Sequence, residues 1–275
     1  MKNFFRYVTE IPSESGFKMF GLCHIVWLLL ITAFSIGLAY LYRNAKITDD
    51  FKDNRYSHSD KENSGFGKMI GERSLSREKI QFVIGFIMPA ISIYRDTVLI
   101  VTGHFDKYYL PLHLCAMALW IGAVYCFTGW RFVGVVYVSL CVPGAMSALI
   151  FPDWVDYPLW NYMHIHDFIS HGLIVAWGIC LLVSGEVVPK FIELWMPMLF
   201  GFVGIACMMP VNKLLGTNYW FLNVPSPGSP LVMIMNITGE KLYVPGYILF
   251  VICVVFIWIA IINGIKYLEG NGKQC

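Results

Sequence analysis

Tyr162–Ser184 reads YMHIHDFISHGLIVAWGICLLVS, twenty-three residues with Asp167 as the one charged side chain. At 1.5 Å of rise per residue that length crosses the hydrocarbon of a bilayer. Ionisable groups are costly at that depth, so His164, His166, Asp167 and His171 are expected to face a protein-lined cavity rather than lipid.

Six further apolar runs have spanning length: Met19–Tyr42, Ile80–Thr102, Leu110–Thr128, Phe132–Phe151, Ile192–Val211 and Tyr243–Lys266. The composition agrees. Of 275 residues, 57% are hydrophobic, 14% charged and 16% aromatic, and the mean hydropathy is +0.61. A soluble domain carries about a quarter charged residues. The expected fold is therefore all-α, a polytopic membrane protein of seven transmembrane helices forming one domain over residues 1–275. Pro89, Pro143, Pro197 and Pro210 lie within spans and should each kink a helix and free a carbonyl for a neighbour to satisfy.

The polar loop of residues 43–79 holds nine of the 20 Lys and Arg, which assigns it to the cytoplasm. Alternation then gives 13 basic residues inside and six outside, with the N-terminus outside and the C-terminus inside. The first apolar run is too long for a cleaved signal, and the expected location is a bacterial cytoplasmic membrane. Residues 217–242 are too short and proline-rich to span, and fit an extracytoplasmic cap or re-entrant loop. A formal charge of +2, with no basic stripe, excludes nucleic acid as a partner. Seven of the eight Cys fall inside apolar segments and none forms C-x-x-C, so neither disulfides nor a zinc ribbon is expected.

On this topology the polar groups converge at one depth in the outer leaflet. Arg95 and Asp96 end span two, His113 and Cys115 begin span three, His164 to His171 begin span five, and Asn212 ends span six beside Asn218 and Tyr219. His164, Asp167 and His171 recur at i, i+3 and i+7, one helix face, so Asp167 could hold His171 while His166 points elsewhere. A thiol needs a base or a positive environment to become a nucleophile. Cys115 as nucleophile, His171 as base and Asp167 as orienter supply such a set. Arg95, Asp96, His113, Asn212, Asn218 and Tyr219 are the substrate-binding candidates, with Arg95 suited to a phosphate. The plain alternative is that Cys115 packs and His171 links helices. Two other readings are a zinc-dependent lipid hydrolase, with His164, His166 and His171 as ligands beside Asp96, and a transporter of small molecules or ions using the same polar groups as a relay. No resident cofactor is expected, and the oligomeric state is not read from the chain.

Leu110-Pro111-Leu112-His113-Leu114-Cys115, then Ser170-His171-Gly172-Leu173-Ile174, then Gly216-Thr217-Asn218-Tyr219-Trp220-Phe221-Leu222 with Pro225 and Ser229-Pro230, resemble the YwaF-like bacterial integral membrane proteins, with which the animal transmembrane protein 164 is grouped. The resemblance runs from Gln81 to Leu268. It implies an acyltransferase of phospholipid remodelling, with Cys115 matching the family's acyl-accepting Cys and His171 its His partner, and with membrane phospholipids or lysophospholipids as partners. The animal branch is associated with moving a fatty acyl chain onto a lyso-ether phospholipid. His164 and His166 are additions to the family pattern.

Overall fold

A computed structural model describes residues 4–12, 15–47 and 76–271, with side chains to Leu268. Its secondary structure is helical apart from one isolated bridge between Lys46 and Ser76. Among the described residues, seven helices are long and apolar enough to cross a membrane. They are α1 (Leu22–Asn44), α2 (Arg77–Val101), α3 (Leu114–Thr128, preceded by a turn at Lys107–Tyr109), α4 (Arg131–Ile150), α5 (Tyr162–Val183), α6 (Trp195–Leu215) and α7 (Pro230–Asn271). The expected loop 43–79 lies outside the described residues except at its two ends, where Arg77 N–H donates to the Lys46 carbonyl at 3.0 Å.

α5 is the central post. Trp177, Ile174, Phe168 and Leu181 on it are fully buried, and α1, α2, α3 and α4 pack around it. Hydrogen bonds tie the ends of the bundle. At the upper end, Tyr162 N–H donates to the Phe4 carbonyl (2.8 Å), His24 reaches the Leu149 carbonyl (2.7 Å) and Trp220 Nε1 donates to the Leu112 carbonyl (2.8 Å). At the lower end, Glu186 takes hydrogen bonds from Gln81 Nε2 (2.6 Å), Tyr125 (2.9 Å) and Tyr42, joining α1, α2, α3 and the loop after α5.

α4 shows what a proline in a span does. Tyr137–Cys141 forms a π turn in which Val142 N–H donates to the Tyr137 carbonyl, five residues back. In the same register the Val138 carbonyl would wait for residue 143, which is proline and has no N–H. Trp258 of α7 donates its indole N–H to that carbonyl at 2.9 Å. The freed group is satisfied by a neighbouring helix.

The last helix is longer than the expected span of Tyr243–Lys266. It begins at Pro230 and breaks at Gly239 (φ 71°, ψ 171°), a backbone conformation open essentially to glycine. The chain folds back there. A Cβ on Gly246 would lie 2.6 Å from Thr238 Cγ2 and 3.1 Å from Ile234 Cγ2. Along one straight helix Ile234 and Gly246 would stand about 18 Å apart. The short arm before Gly239 therefore lies against the start of the long one, and it brings Ser229, Pro230 and Leu231 to the cavity described next.

Candidate functional site: a cavity between α3, α4, α5, α6 and α7

A cavity of about 550 Å³ opens among the upper halves of these helices. Cys115 and His171 both line it. Cys115 is the second residue of α3. No side chain caps that helix, and its first ladder bond runs from Met117 N–H to the His113 carbonyl at 2.9 Å. The N–H groups of Leu114, Cys115 and Ala116 thus stand outside the ladder, at the positive end of the helix dipole. Those donors can meet an oxyanion that forms beside the sulfur.

The His171 ring is fixed from two sides. Its Nδ1 lies 2.7 Å from the Asp167 main-chain carbonyl, which can only accept, so Nδ1 carries the proton and Nε2 keeps its lone pair. Trp154 stacks on the ring at 5.0 Å between centroids and 23° between planes. The Asp167 carboxylate turns the other way and pairs with His166 Nδ1 at 2.9 Å. His166 Nε2 is buried without a hydrogen-bond partner among the described residues.

Asp153 completes the polar end of the cavity. Burial, and then the nearby Asp167 carboxylate, push its carboxyl up to about 6. Neither Asp153 nor Trp154 stood out in the sequence. Their one signal is an acid and an indole directly after Pro152, in the short connection between α4 and α5.

The deeper wall is apolar. Leu119 of α3, Leu140 of α4, Ile205 of α6 and Val251, Val254 and Val255 of α7 line it.

A family model for the TMEM164 family matches residues 19–263. The chain belongs to the TMEM164 family. Searches of curated proteins and of solved structures return no match.

In this TMEM164-family protein, several residues singled out by sequence have other work. Asn212 Oδ1 accepts from Tyr219 N–H (2.7 Å) and Thr217 Oγ1 (3.0 Å), and its Nδ2 donates to the Tyr219 carbonyl (3.0 Å). Asn218 Oδ1 accepts from Asn223 and Val224 N–H groups, and Tyr219 OH donates to the Lys107 carbonyl. These three brace the 217–224 turn and do not line the cavity. What that turn delivers instead is Trp220 and Phe221, both at positive φ (59° and 54°) and both in the cavity wall. Gly204 makes room for the Trp220 ring, since a Cβ there would come within 2.1 Å of it.

His113 does line the cavity, its ring against Tyr219 (5.0 Å) and Phe221 (5.7 Å). Arg95 lines it too, but its Nε and Nη2 both donate to Asp96 Oδ1 (2.9 and 2.7 Å), and Nη2 also donates to the Tyr109 carbonyl (2.8 Å). The bidentate edge expected to clamp a phosphate is therefore taken, and Asp96 serves as its counter-ion rather than as cavity lining.

The zinc set is not assembled. Trp27 Nε1 donates to His164 Nε2 (2.9 Å) while His164 Nδ1 faces the Tyr157 carbonyl (3.3 Å), so both nitrogens of that ring are used away from the cavity. Among the described residues no group of three His, Cys, Asp or Glu is placed to hold a metal ion. The phase along α5 explains the error. At about 100° per residue from His164, His166 falls near 200°, Ser170 near 240°, Asp167 near 300° and His171 near 340°. The cavity faces the sector from His166 to His171, and His164 lies just beyond its edge, against α1.

Proposed function

We propose that the protein is a membrane-embedded acyltransferase that moves a fatty acyl group between phospholipids through a thioester on Cys115. The observation that carries this reading is the meeting of three features in one cavity: a thiol at an uncapped helix start, an imidazole with Nδ1 engaged and Nε2 available, and an apolar slot below them.

The sequence of steps follows from those groups. His171 Nε2 takes the Cys115 thiol proton as sulfur attacks the ester carbonyl of the donor phospholipid. The developing oxyanion is met by the free N–H groups at the start of α3. The C–O bond breaks, and the lysophospholipid leaves with the proton held by His171. An acceptor lysophospholipid then loses its hydroxyl proton to His171, attacks the thioester carbon, and releases Cys115, which recovers that proton. The site would open to the outer leaflet of a bacterial cytoplasmic membrane.

The test uses the protein in nanodiscs with a phospholipid labelled in its acyl chain. Label should appear on Cys115 and be released by neutral hydroxylamine. Cys115→Ala and His171→Ala should both remove it while the protein keeps its fold by thermal unfolding. Undiminished acyl transfer by Cys115→Ala protein ends the reading.

A further inference from the structure

Below Cys115 the lining of the cavity turns apolar. On α7, Tyr247, Val251 and Val255 follow one face at i, i+4 and i+8, about 12 Å of helix. The far end is plugged by Leu140, Val255 and Ile259, which are 6%, 1% and 0% exposed and pack on one another. All the ionisable lining lies at the Cys115 end.

Two glycines sit in the walls of this slot, Gly144 on α4 and Gly201 on α6. Glycine weakens a helix interior relative to alanine, so its presence asks for a reason. Neither residue has positive φ, so the backbone does not require it. Packing does not require it either. A Cβ on Gly201 would meet nothing within 4 Å, and one on Gly144 would meet only Leu114 Cδ2 at an ordinary 3.6 Å. The contrast is with Gly178 and Gly204, where a Cβ would overlap Val142 or Trp220. Gly201 shares a helix face with Ile205, which lines the cavity, and Met208, which is buried, so its open space is interior rather than lipid.

We propose that this slot holds the fatty acyl chain and measures it, with Gly201 leaving room for its distal methylenes and Leu140 setting the stop. The identity of the occupant rests on the acyltransferase reading, but occupancy can be read without turnover. An unbranched hydrocarbon chain fits an apolar wall about two helical turns long that ends on the packed side chains of Leu140, Val255 and Ile259.

The experiment takes the full chain in detergent or nanodiscs and measures displacement of a fluorescent fatty acid by saturated fatty acids from octanoate to stearate, alongside acyl transfer from phospholipids carrying the same chains. Wild-type affinity should rise about fourfold per added methylene until the slot is full, then level off. Gly201→Leu should move the plateau to chains shorter by about four carbons, the size of the added side chain, and leave octanoate unaffected. Leu140→Ala should move it to longer chains. Gly201→Ala, whose methyl meets no protein atom, keeps the test alive if the leucine variant does not fold, and should shift the plateau by about one carbon.

An unmoved plateau in folded variants, or a uniform loss across the series, overturns the proposal. Shifted binding without any acyl transfer supports the slot and removes the enzyme reading. Acyl transfer with unshifted profiles does the reverse.

Discussion

His171 gives its Nδ1–H to the main-chain carbonyl of Asp167, 2.7 Å away and one turn earlier in α5, while the Asp167 carboxylate pairs with His166. The imidazole is oriented by backbone, and that has a consequence for mutagenesis. Where a carboxylate sets a catalytic histidine's tautomer, its amide replacement costs on the order of 10⁴ in rate. Asp167→Asn leaves the carbonyl in place, so acylation of Cys115 should fall by no more than about tenfold, the scale of a lost nearby charge rather than a lost tautomer. Single-turnover labelling of Cys115 measures this, and a loss of several thousandfold would return the orienting role to the carboxylate.

Asp153 ties stability to pH. Burial first, and the Asp167 carboxylate second, raise its carboxyl from 3.8 to about 6. The folded value exceeds the unfolded one, so this contribution to stability is fully present below about pH 4 and is lost as pH rises through 6. Asp153→Asn removes the titration. Thermal unfolding should find the variant close to wild type at pH 4 and more stable at pH 8, by a margin that the solvent exposure of Asp153 keeps small. An offset independent of pH contradicts the assignment.

The indole of Trp258 stands in for a proline's missing donor at the Val138 carbonyl. Trp258→Phe should cost about 1–3 kcal/mol in unfolding, much of it from leaving a buried carbonyl unpaired. In a Pro143→Ala background residue 143 regains an N–H, so the same substitution should cost less. Additive costs in that double-mutant cycle would show that the two groups do not serve one carbonyl.

Gly239 holds the reversal that folds the short arm of α7 against the long one. Gly239→Ala places a side chain at φ 71°, ψ 171° and should destabilise by about 1–3 kcal/mol. Because the short arm carries Ser229, Pro230 and Leu231 to the cavity, fatty-acid affinity should weaken as well. A variant with wild-type unfolding temperature and affinity would remove the hinge from this account.

Fold and site were not equally legible. The seven spans follow from run length and charge, because in hydrocarbon every backbone group must be satisfied locally and only a long apolar helix does that. His171 stood out because an imidazole within an apolar helix is costly, and Cys115 because it is the thiol at the same depth. The errors came where direction mattered. His164 was grouped with Asp167 and His171 by helical phase, yet α5 is buried on the α1 side as well as on the cavity side, and Trp27 of α1 claimed that ring. Asn212, Asn218 and Tyr219 looked like binding groups because amides and phenols bind ligands, but the same groups also close turns, and here they close one.

The sequence by itself determined a seven-helix membrane protein with a thiol and an imidazole near one end, because the cost of burying polar atoms in lipid leaves few other readings. Only the tertiary structure decided that Asp167 orients His171 through its carbonyl, that His164 turns to α1, and that Gly201 opens onto empty space. Those outcomes depend on which neighbour lies opposite each side chain, and contacts between distant segments leave no periodic trace in the chain.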